Sequence, residues 1–258
     1  MPIARADDKM IYYAHVPKCA GSAVEDYLAA RFGPLAFRDT GHMRRPESRR
    51  WTRSSPQHVD RASLGRLFPP GFFDHVFAVV RHPVARLVSC WHFQLEVERS
   101  IASGITFSDW LLGIEDMWAE QPFAFDNHIR PMAEIVPEGA RIFHLEHGLD
   151  AIVPWLDSIA GTDAGPRTMP RTNERGAHGG KASAKLVPNP SDLALIARLY
   201  AVDFERFGYL IDASVPLVPP PELSADYLAA RDAELKLLNS APVRLKKQVR
   251  DLARRALK

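Results

Sequence analysis

Two short segments combine basic and small residues in a way that suits the binding of an anion. In the first, Pro17 to Ser22, one lysine precedes a run of small residues that ends in a hydroxyl. Small residues let backbone N–H groups approach a ligand, and the lysine adds a point charge. In the second, Arg81 precedes His82-Pro83 and Ser89, and its guanidinium can bind a phosphate through two hydrogen bonds. Together they predict a phosphate-type anion site, unless both cations are ordinary solvated surface charges.

Each segment directly follows an apolar run that is typical of a buried strand. "MIYYAHV" covers 10–16, "HVFAVV" covers 75–80, and a third run, "ARIFHLE", covers 140–146. None of them alternates with polar residues, as expected for parallel strands covered by helices on both faces. The sequence therefore predicts an α/β fold with a parallel sheet, in which ligands bind beyond the carboxyl ends of the strands.

Helical patterns follow each predicted strand. Ser22 and Glu25 have the spacing of a capping box, which predicts a helix that starts near Ser22 and ends at Gly33-Pro34. Pro83 is expected at the first position of the second helix. A later helix is expected from about Ser191 to Phe207, whereas 38–57 and 160–190 show no period and are expected to be irregular.

The lysine-containing loop differs from the phosphate loop of magnesium-dependent NTPases. The G-x-x-x-x-G-K-[ST] spacing is absent, and Lys18 comes before the glycine instead of after it. No acidic partner of the Walker B type is evident in the sequence. These observations disfavour an NTPase and predict no metal, while a related nucleotide kinase stays open as an alternative that would need ATP and magnesium.

The same residues carry a family resemblance. "HVPKCAGSAVE" resembles the 5′-phosphosulfate-binding loop of sulfotransferases, and "FAVVRHPVARLVSCW" resembles their 3′-phosphate-binding strand and helix. In the second motif the family's order and spacing are kept by Arg81, Pro83, Arg86 and Ser89. "IFHLEHGLDAI" and "YAVDFERFGY" extend the likeness, patchily, from about Ile11 to Tyr209. It is closest to the carbohydrate-type sulfotransferases, and it implies a sheet like that of P-loop NTPases, flanked by helices in a single domain.

The resemblance implies 3′-phosphoadenosine-5′-phosphosulfate as the donor and assigns residues to it. The 5′-phosphosulfate would contact Lys18, the backbone of Cys19, Ala20 and Gly21, and Ser22. The 3′-phosphate would contact Arg81 and Ser89. Asn173 stands in a segment that resembles the family's nucleotide-closing loop, although a plain loop explains it equally well. Cys19 and Ser22 occupy positions where threonines are common, so Cys19 lacks a hydroxyl that could strengthen donor binding.

Sulfuryl transfer to a hydroxyl needs a base and a group that stabilises the leaving oxygen. His58 lies between the two donor motifs, where a histidine acts as general base in the resembling enzymes. Lys18 is predicted to stabilise the leaving phosphate oxygen. His128, in "FDNHIRPM", is the competing candidate and is interpreted as part of the acceptor-side wall. His15 and His82 are interpreted as packed or loop-orienting residues.

The resemblance implies an enzyme that transfers a sulfuryl group to a hydroxyl of a glycan or glycolipid. A second hypothesis, a catalytically inactive protein that binds the nucleotide for a partner, stays open. Residues 1–215 are predicted to form the sulfotransferase domain and 222–258 a basic helical extension, joined by the Pro-rich stretch 216–221.

Charge and composition limit the partners and the compartment. The net charge of the 258 residues is +2, but seven basic residues and one acid follow from Arg244 onward. A basic tail on a mildly acidic body does not predict a nucleic-acid-binding protein. The narrow apolar stripe of this tail suits either a peripheral contact with the inner membrane face or docking on its own domain or a homodimer partner; its residues are Leu245, Val249, Leu252 and Ala256. The sequence has only two cysteines, and it contains neither a long apolar run nor a signal-peptide core. These features predict a cytoplasmic, reduced protein.

Overall fold

A four-stranded sheet forms the centre of the computed structural model, which describes residues 1–170 and 186–240. Its strands, in spatial and chain order, are β1 Ile3–Ala6, β2 Lys9–Ala14, β3 His75–Val80 and β4 Arg141–His144. The pairs β2–β3 and β3–β4 are parallel, whereas β1 pairs antiparallel with β2. The predicted α/β fold with a parallel sheet is confirmed, and β1 is an added edge strand.

Helices follow the three parallel strands and flank the sheet. Those within the described ranges are α1 Gly21–Phe32, α2 Arg61–Leu67, α3 Pro83–Phe93, α4 Phe107–Leu112, α5 Ile114–Glu120, α6 Ile152–Ala160, α7 Pro190–Leu199, α8 Ala201–Phe207 and α9 Ala225–Leu238. The start of α3 at Pro83 is as predicted. Residues 38–57 contain only short 3₁₀ turns, which confirms the irregular excursion expected there.

The strand register brings the predicted chemistry to one edge of the sheet. Ala14 of β2 lies opposite Ala78 of β3, and Val80 of β3 lies opposite His144 of β4. Since all three strands run in the same direction, the segments that leave their carboxyl ends emerge side by side.

Two hydrophobic cores hold the elements around this edge. The larger core packs against the sheet and includes the fully buried strand residues from Phe77 to Val80. The smaller core joins α3 to the helices α4, α5 and α7; its buried members include Leu87, Trp110, Leu111, Ile114 and Ile196. The second core fixes the orientation of α3, whose first turn faces the carboxyl edge of the sheet.

The start of α1 differs from the capping box predicted at Ser22. The helix begins at Gly21, and its N-cap is Ala20 in a left-handed conformation with φ 61°. Glu25 is buried and bonds to His15 instead of turning back to the helix start. The predicted capping box is therefore wrong, because Glu25 is used inside the fold. The predicted end at Gly33 is confirmed, with φ 86° at that residue.

The helix predicted from about Ser191 to Phe207 is two helices, α7 and α8, which meet at Tyr200. Asn189 caps α7 and forms a capping box with Asp192, so α7 starts at Pro190. Tyr200 leaves the helical conformation with φ −114°, and its hydroxyl donates a hydrogen bond to Ile129 O at 2.5 Å. The break lets this buried tyrosine reach the segment that leads to β4.

The start of the C-terminal region packs back onto the domain. Tyr227 of α9 donates a hydrogen bond to Arg167 O at 3.0 Å, and Arg231 pairs with Asp150 at 2.7 Å. The domain boundary between 215 and 222 stays a prediction, and the stripe of the basic tail lies outside the described residues. Among the residues that the structure describes, no helix has the length and apolarity needed to cross a membrane.

Candidate functional site

One large cleft, with a volume of about 2050 Å³, opens at the carboxyl edge of the sheet. Most of the predicted site residues line it, namely Lys18, Ala20, Gly21, Ser22, His58, Arg81 and Ser89. The structure therefore brings the two predicted anion-binding segments and the predicted base into one space. Asn173 lies outside the described residues, so its predicted contact with the nucleotide stays a prediction.

The loop between β2 and α1 has the backbone form of an anion-binding turn. Lys18 and Ala20 both adopt left-handed conformations, with φ 67° and 61°, although neither is glycine. Left-handed residues within such a turn direct successive N–H groups into a concavity, next to the positive end of α1. Left-handed non-glycine residues cost about 1–3 kcal/mol each and concentrate at functional sites.

Gly21 is required by the close approach of a histidine ring. A Cβ at this position would lie 1.6 Å from Nε2 of His15. The ring cannot easily move away, because its Nδ1 is 2.6 Å from Oε1 of Glu25, whose other oxygen accepts from Arg38 at 3.1 Å. The glycine therefore allows a fixed, buried imidazole to support the loop from below.

We expect Gly21→Ala to disturb both stability and the loop. The added methyl group overlaps the His15 ring, and overpacking of this kind costs about 1–3 kcal/mol. The expected results are a melting temperature lower by several degrees and weaker binding of a phosphate-bearing nucleotide, measured by thermal unfolding and calorimetry. Gly65→Ala is the matched control, because a Cβ at that exposed position in α2 meets nothing within 4 Å. Equal stability of both variants would contradict the steric argument.

Lys18 lines the cleft beside the turn at the start of α1. Its Nζ is 3.7 Å from the centre of the Phe93 ring, and Arg81 donates a hydrogen bond to its carbonyl oxygen at 3.3 Å. Burial, reinforced by the charge of Arg81, lowers the pKa of Lys18 to about 8. An aromatic face holds an ammonium group without neutralising it, which leaves the charge available for a ligand.

Cys19 does not line the cleft. The side chain is fully buried, with Sγ 3.7 Å from Pro17 O, and burial raises the pKa of its thiol to about 12. The hydroxyl that a threonine would carry here is thus missing from a side chain that belongs to the core. The predicted loss of donor affinity at Cys19 stays a prediction, but the side chain's burial argues against a large effect.

His58 forms a charge-assisted pair with Asp126. Its Nδ1 lies 2.7 Å from Oδ2 of Asp126, and its carbonyl oxygen accepts a hydrogen bond from Asn127 at 2.6 Å. A carboxylate at Nδ1 fixes the proton on that nitrogen and leaves the Nε2 lone pair as the basic atom. The pair therefore has the form of an oriented general base, and Asp126 was not among the residues that the sequence singled out.

The loop that carries Asp126 is strained. Phe125, Asp126 and Asn127 are all left-handed, with φ 50°, 56° and 63°. Burial favours the neutral acid at Asp126, but the neighbouring His58, His128 and the Ser55 N–H outweigh it and hold the pKa well below its usual value. The carboxylate is therefore charged at neutral pH, as the orientation of His58 requires.

The hydrogen bonds of His128 make it a donor instead of a base. Gln94 donates from Nε2 to Nδ1 of His128 at 2.8 Å, and its Oε1 accepts from Ser100 at 2.6 Å, which fixes the amide orientation. Burial, together with the nearby His58, lowers the pKa of His128 well below its usual value, so the ring is neutral. A neutral ring that accepts at Nδ1 carries its proton on Nε2. His128 lies 5.1 Å from His58, ring centre to ring centre, and forms part of the cleft wall.

The other histidines of these motifs fix loops. Burial lowers the pKa of His15 to about 4, and its ring packs edge-on against His58 at 4.7 Å. His82 donates its backbone N–H to Glu146 at 2.8 Å, while its Nε2 bonds to Leu210 O at 2.9 Å. The second oxygen of Glu146 accepts from Tyr209 at 2.9 Å. Glu146 is thus an acidic residue that follows β4, and each of its carboxylate oxygens holds a neighbouring loop in place.

Arg86 holds the chain segment around His128 in place. It is fully buried in α3 and donates hydrogen bonds to His128 O at 3.0 Å and Arg130 O at 2.7 Å. Asp203, 4.0 Å away, accepts in turn from the backbone N–H groups of Met132 and Ala133, both at 2.8 Å.

Comparison with protein families assigns the chain. A family model described as the sulfotransferase family matches residues 1–210, a range that includes all four strands and the helices α1 to α8. The chain belongs to the sulfotransferase family. Sulfotransferases transfer sulfuryl groups, so the chain is a transferase. Searches among curated proteins and among solved structures each gave no significant match.

Proposed function

We propose that this sulfotransferase takes its sulfuryl group from 3′-phosphoadenosine-5′-phosphosulfate and delivers it to a hydroxyl of a glycan or glycolipid. The observation that carries the proposal is that the oriented base pair His58–Asp126 and the unneutralised Lys18 line the same cleft. One end of that cleft suits an anion and the other suits proton removal.

The donor fits the residues of the carboxyl edge. The turn at 17–21 would hold the 5′-phosphosulfate with its backbone N–H groups, together with Lys18 and Ser22. Arg81 and Ser89, which line the cleft from the β3 end and from α3, would hold the 3′-phosphate. Two separate cationic positions match a ligand that carries two separate anionic groups.

The chain's residues would act on the two ends of one in-line transfer. His58 accepts the hydroxyl proton at Nε2 while the hydroxyl oxygen bonds to sulfur and the bond from sulfur to the 5′-phosphate oxygen breaks. Lys18 stabilises the negative charge that develops on that leaving oxygen. No covalent enzyme intermediate is needed, and the motifs give no reason to invoke a metal.

The lining of the cleft and the family resemblance both support a glycan or glycolipid as the acceptor. Beyond His58 the cleft continues along the irregular segment 38–57, where its lining is polar and includes Asp39, Arg44 and Arg53. Polar groups around an open cleft suit a hydroxyl-rich molecule better than a flat apolar one. The resemblance to carbohydrate-type members supports the same choice.

The test is calorimetric binding of 3′-phosphoadenosine-5′-phosphate, the desulfated product, in the presence of EDTA. We expect wild type to bind it and Arg81→Ala to bind it about 10- to 100-fold more weakly, because a charge-assisted contact with phosphate is lost. Arg198→Ala is the matched control, since Arg198 pairs with Glu115 at 2.7 Å outside the cleft.

Two other results would assign this chain a different function. Binding of ATP with magnesium, without binding of the bisphosphate, would refute the proposed donor and favour a nucleotide kinase. Tight binding of the bisphosphate with no sulfation across a panel of glycans and glycolipids would favour the catalytically inactive binding partner.

A further inference from the structure

An exposed group of apolar side chains lies beside the acceptor end of the cleft. Its exposed members are Phe37, Trp51, Leu67 and Phe72, with 36%, 57%, 52% and 42% of their surface accessible among the described residues. We call these four residues the aromatic surface. Contiguous exposed groups of large apolar side chains mark sites of interaction with proteins or membranes.

Ring contacts join Phe37, Trp51 and Phe72, through Phe68, into one continuous patch. Phe37 lies 6.1 Å from Trp51 and 6.1 Å from Phe68, and Phe68 lies 4.8 Å from Phe72. Phe68 and Phe72 both contact Phe73, which stacks on Tyr12 of the core at 5.0 Å. The exposed rings are therefore supported from beneath by the sheet.

The backbone also holds one of these rings at the surface. Phe37 has a left-handed conformation with φ 57°, which is unusual for a bulky residue. Such strain persists only where the surrounding structure imposes it, and it concentrates at functional positions. The exposure of Phe37 is therefore a feature that the fold maintains.

Positive charge is concentrated in the chain segment that carries Trp51. Residues 43–53 contain five arginines and one glutamate. In the part of the chain that the structure describes, no acid lies within ion-pair distance of Arg44, Arg49 or Arg53, and all three are exposed. Aromatic side chains flanked by arginines suit the interface of a bilayer that contains anionic lipids, where the rings enter the headgroup region and the arginines meet phosphates.

The same loop connects this patch to the cleft. The Trp51 ring packs edge-on against His42 at 6.2 Å, and its neighbours Met43, Arg50 and Arg53 line the acceptor end of the cleft. From these contacts we propose that the aromatic surface docks on anionic membranes. Docking there places the mouth of the cleft at the lipid headgroups. The binding step stands by itself, whereas delivery of a lipid-linked acceptor rests on the proposed function.

The test is sedimentation with vesicles of phosphatidylcholine alone or mixed with phosphatidylglycerol, using the full chain without donor. We expect wild type to bind the mixed vesicles. Trp51→Ser combined with Phe72→Ser should bind about tenfold more weakly or worse, because two large rings no longer enter the interface. Trp51→Tyr should retain binding, and Arg49→Glu should lose about fivefold or more.

Controls separate this surface from general stickiness. Leu112→Ser removes an apolar side chain that is 68% exposed on α4, and Arg5→Glu reverses an exposed charge on β1. Both should bind vesicles like wild type, and all variants should match wild type in melting temperature.

Two results would overturn the proposal. Equal binding of wild type and the Trp51, Phe72 double variant would assign membrane contact to another part of the chain, such as the basic C-terminal segment. Absence of wild-type binding to mixed vesicles, with dimers that the double variant abolishes, would assign the surface to a second copy. The vesicle test uses neither donor nor turnover. Either result can therefore be distinguished from failure of the proposed sulfation.

Discussion

Replacement of His58 by alanine is expected to lower kcat by about 10²- to 10⁴-fold, because the acceptor hydroxyl loses its general base. Binding of the desulfated product nucleotide should change little, since the role proposed for His58 concerns the acceptor and not the donor. The measurement is steady-state sulfation with the best acceptor from a glycan and glycolipid screen, together with calorimetry. His147→Ala is the matched control, because that histidine does not line the cleft.

Asp126→Asn tests the orientation of His58 and not its presence. The amide can donate to Nδ1, which favours the tautomer with its proton on Nε2 and removes the basic lone pair. We expect a loss of at least tenfold in kcat with an unchanged affinity for the product nucleotide. Full turnover of His58→Ala would show that the base has been assigned to the wrong residue, and His128 would then be the next histidine to replace.

The second large effect concerns Lys18, for which Lys18→Met is expected to lower kcat by about 10²- to 10³-fold, because the leaving oxygen loses a stabilising charge. The wild-type protein should also lose kcat/KM as the pH rises through about 8, the pKa to which burial lowers this lysine. The sign follows from the charge: Lys18 is protonated below that pH and neutral above it. Phosphates of a bound donor favour the protonated form, so the decline in kcat should lie at higher pH than the decline in kcat/KM.

Lys18→Arg separates this interpretation from general alkaline damage. An arginine stays protonated throughout the range, so the decline near pH 8 should disappear even if the maximal rate is lower. Persistence of the same decline in Lys18→Arg would show that another group titrates. Thermal unfolding across the same pH range provides the check on stability.

The sequence predicted the elements that carry long, strong patterns. Strand β3 was predicted at 75–80, an apolar run whose last four residues are fully buried, and Pro83 marked the start of α3. Strand β1 was not predicted, because "IARA" is too short to show a pattern and gains its stability by pairing with β2. The capping box at Ser22 failed for a tertiary reason, since His15 binds the glutamate that the local pattern assigned to the helix start.

The site was predictable where its residues are adjacent in sequence. The turn at Lys18 and the helix start after Arg81 are local motifs, and both line the cleft. The pair between His58 and Asp126 joins residues 68 positions apart, and no sequence spacing encodes such a contact. Left-handed residues at 125–127 form the loop that makes the pair possible. Asp126 and Asn127 are residue types that tolerate this conformation, but residue type does not reveal which distant side chain the loop will meet.

The two buried thiols have a practical consequence for the study of this protein's motions. Cys19 belongs to the core around the sheet, and Cys90 belongs to the core around α3, α4, α5 and α7. Burial raises the pKa of each thiol to about 12, so neither reacts with a disulfide reagent until its surroundings open. The rate of modification at each cysteine therefore reports the opening of one core separately from the other. Without any labelling mutation, the protein therefore carries one kinetic reporter for the core around the sheet and another for the core around the helices.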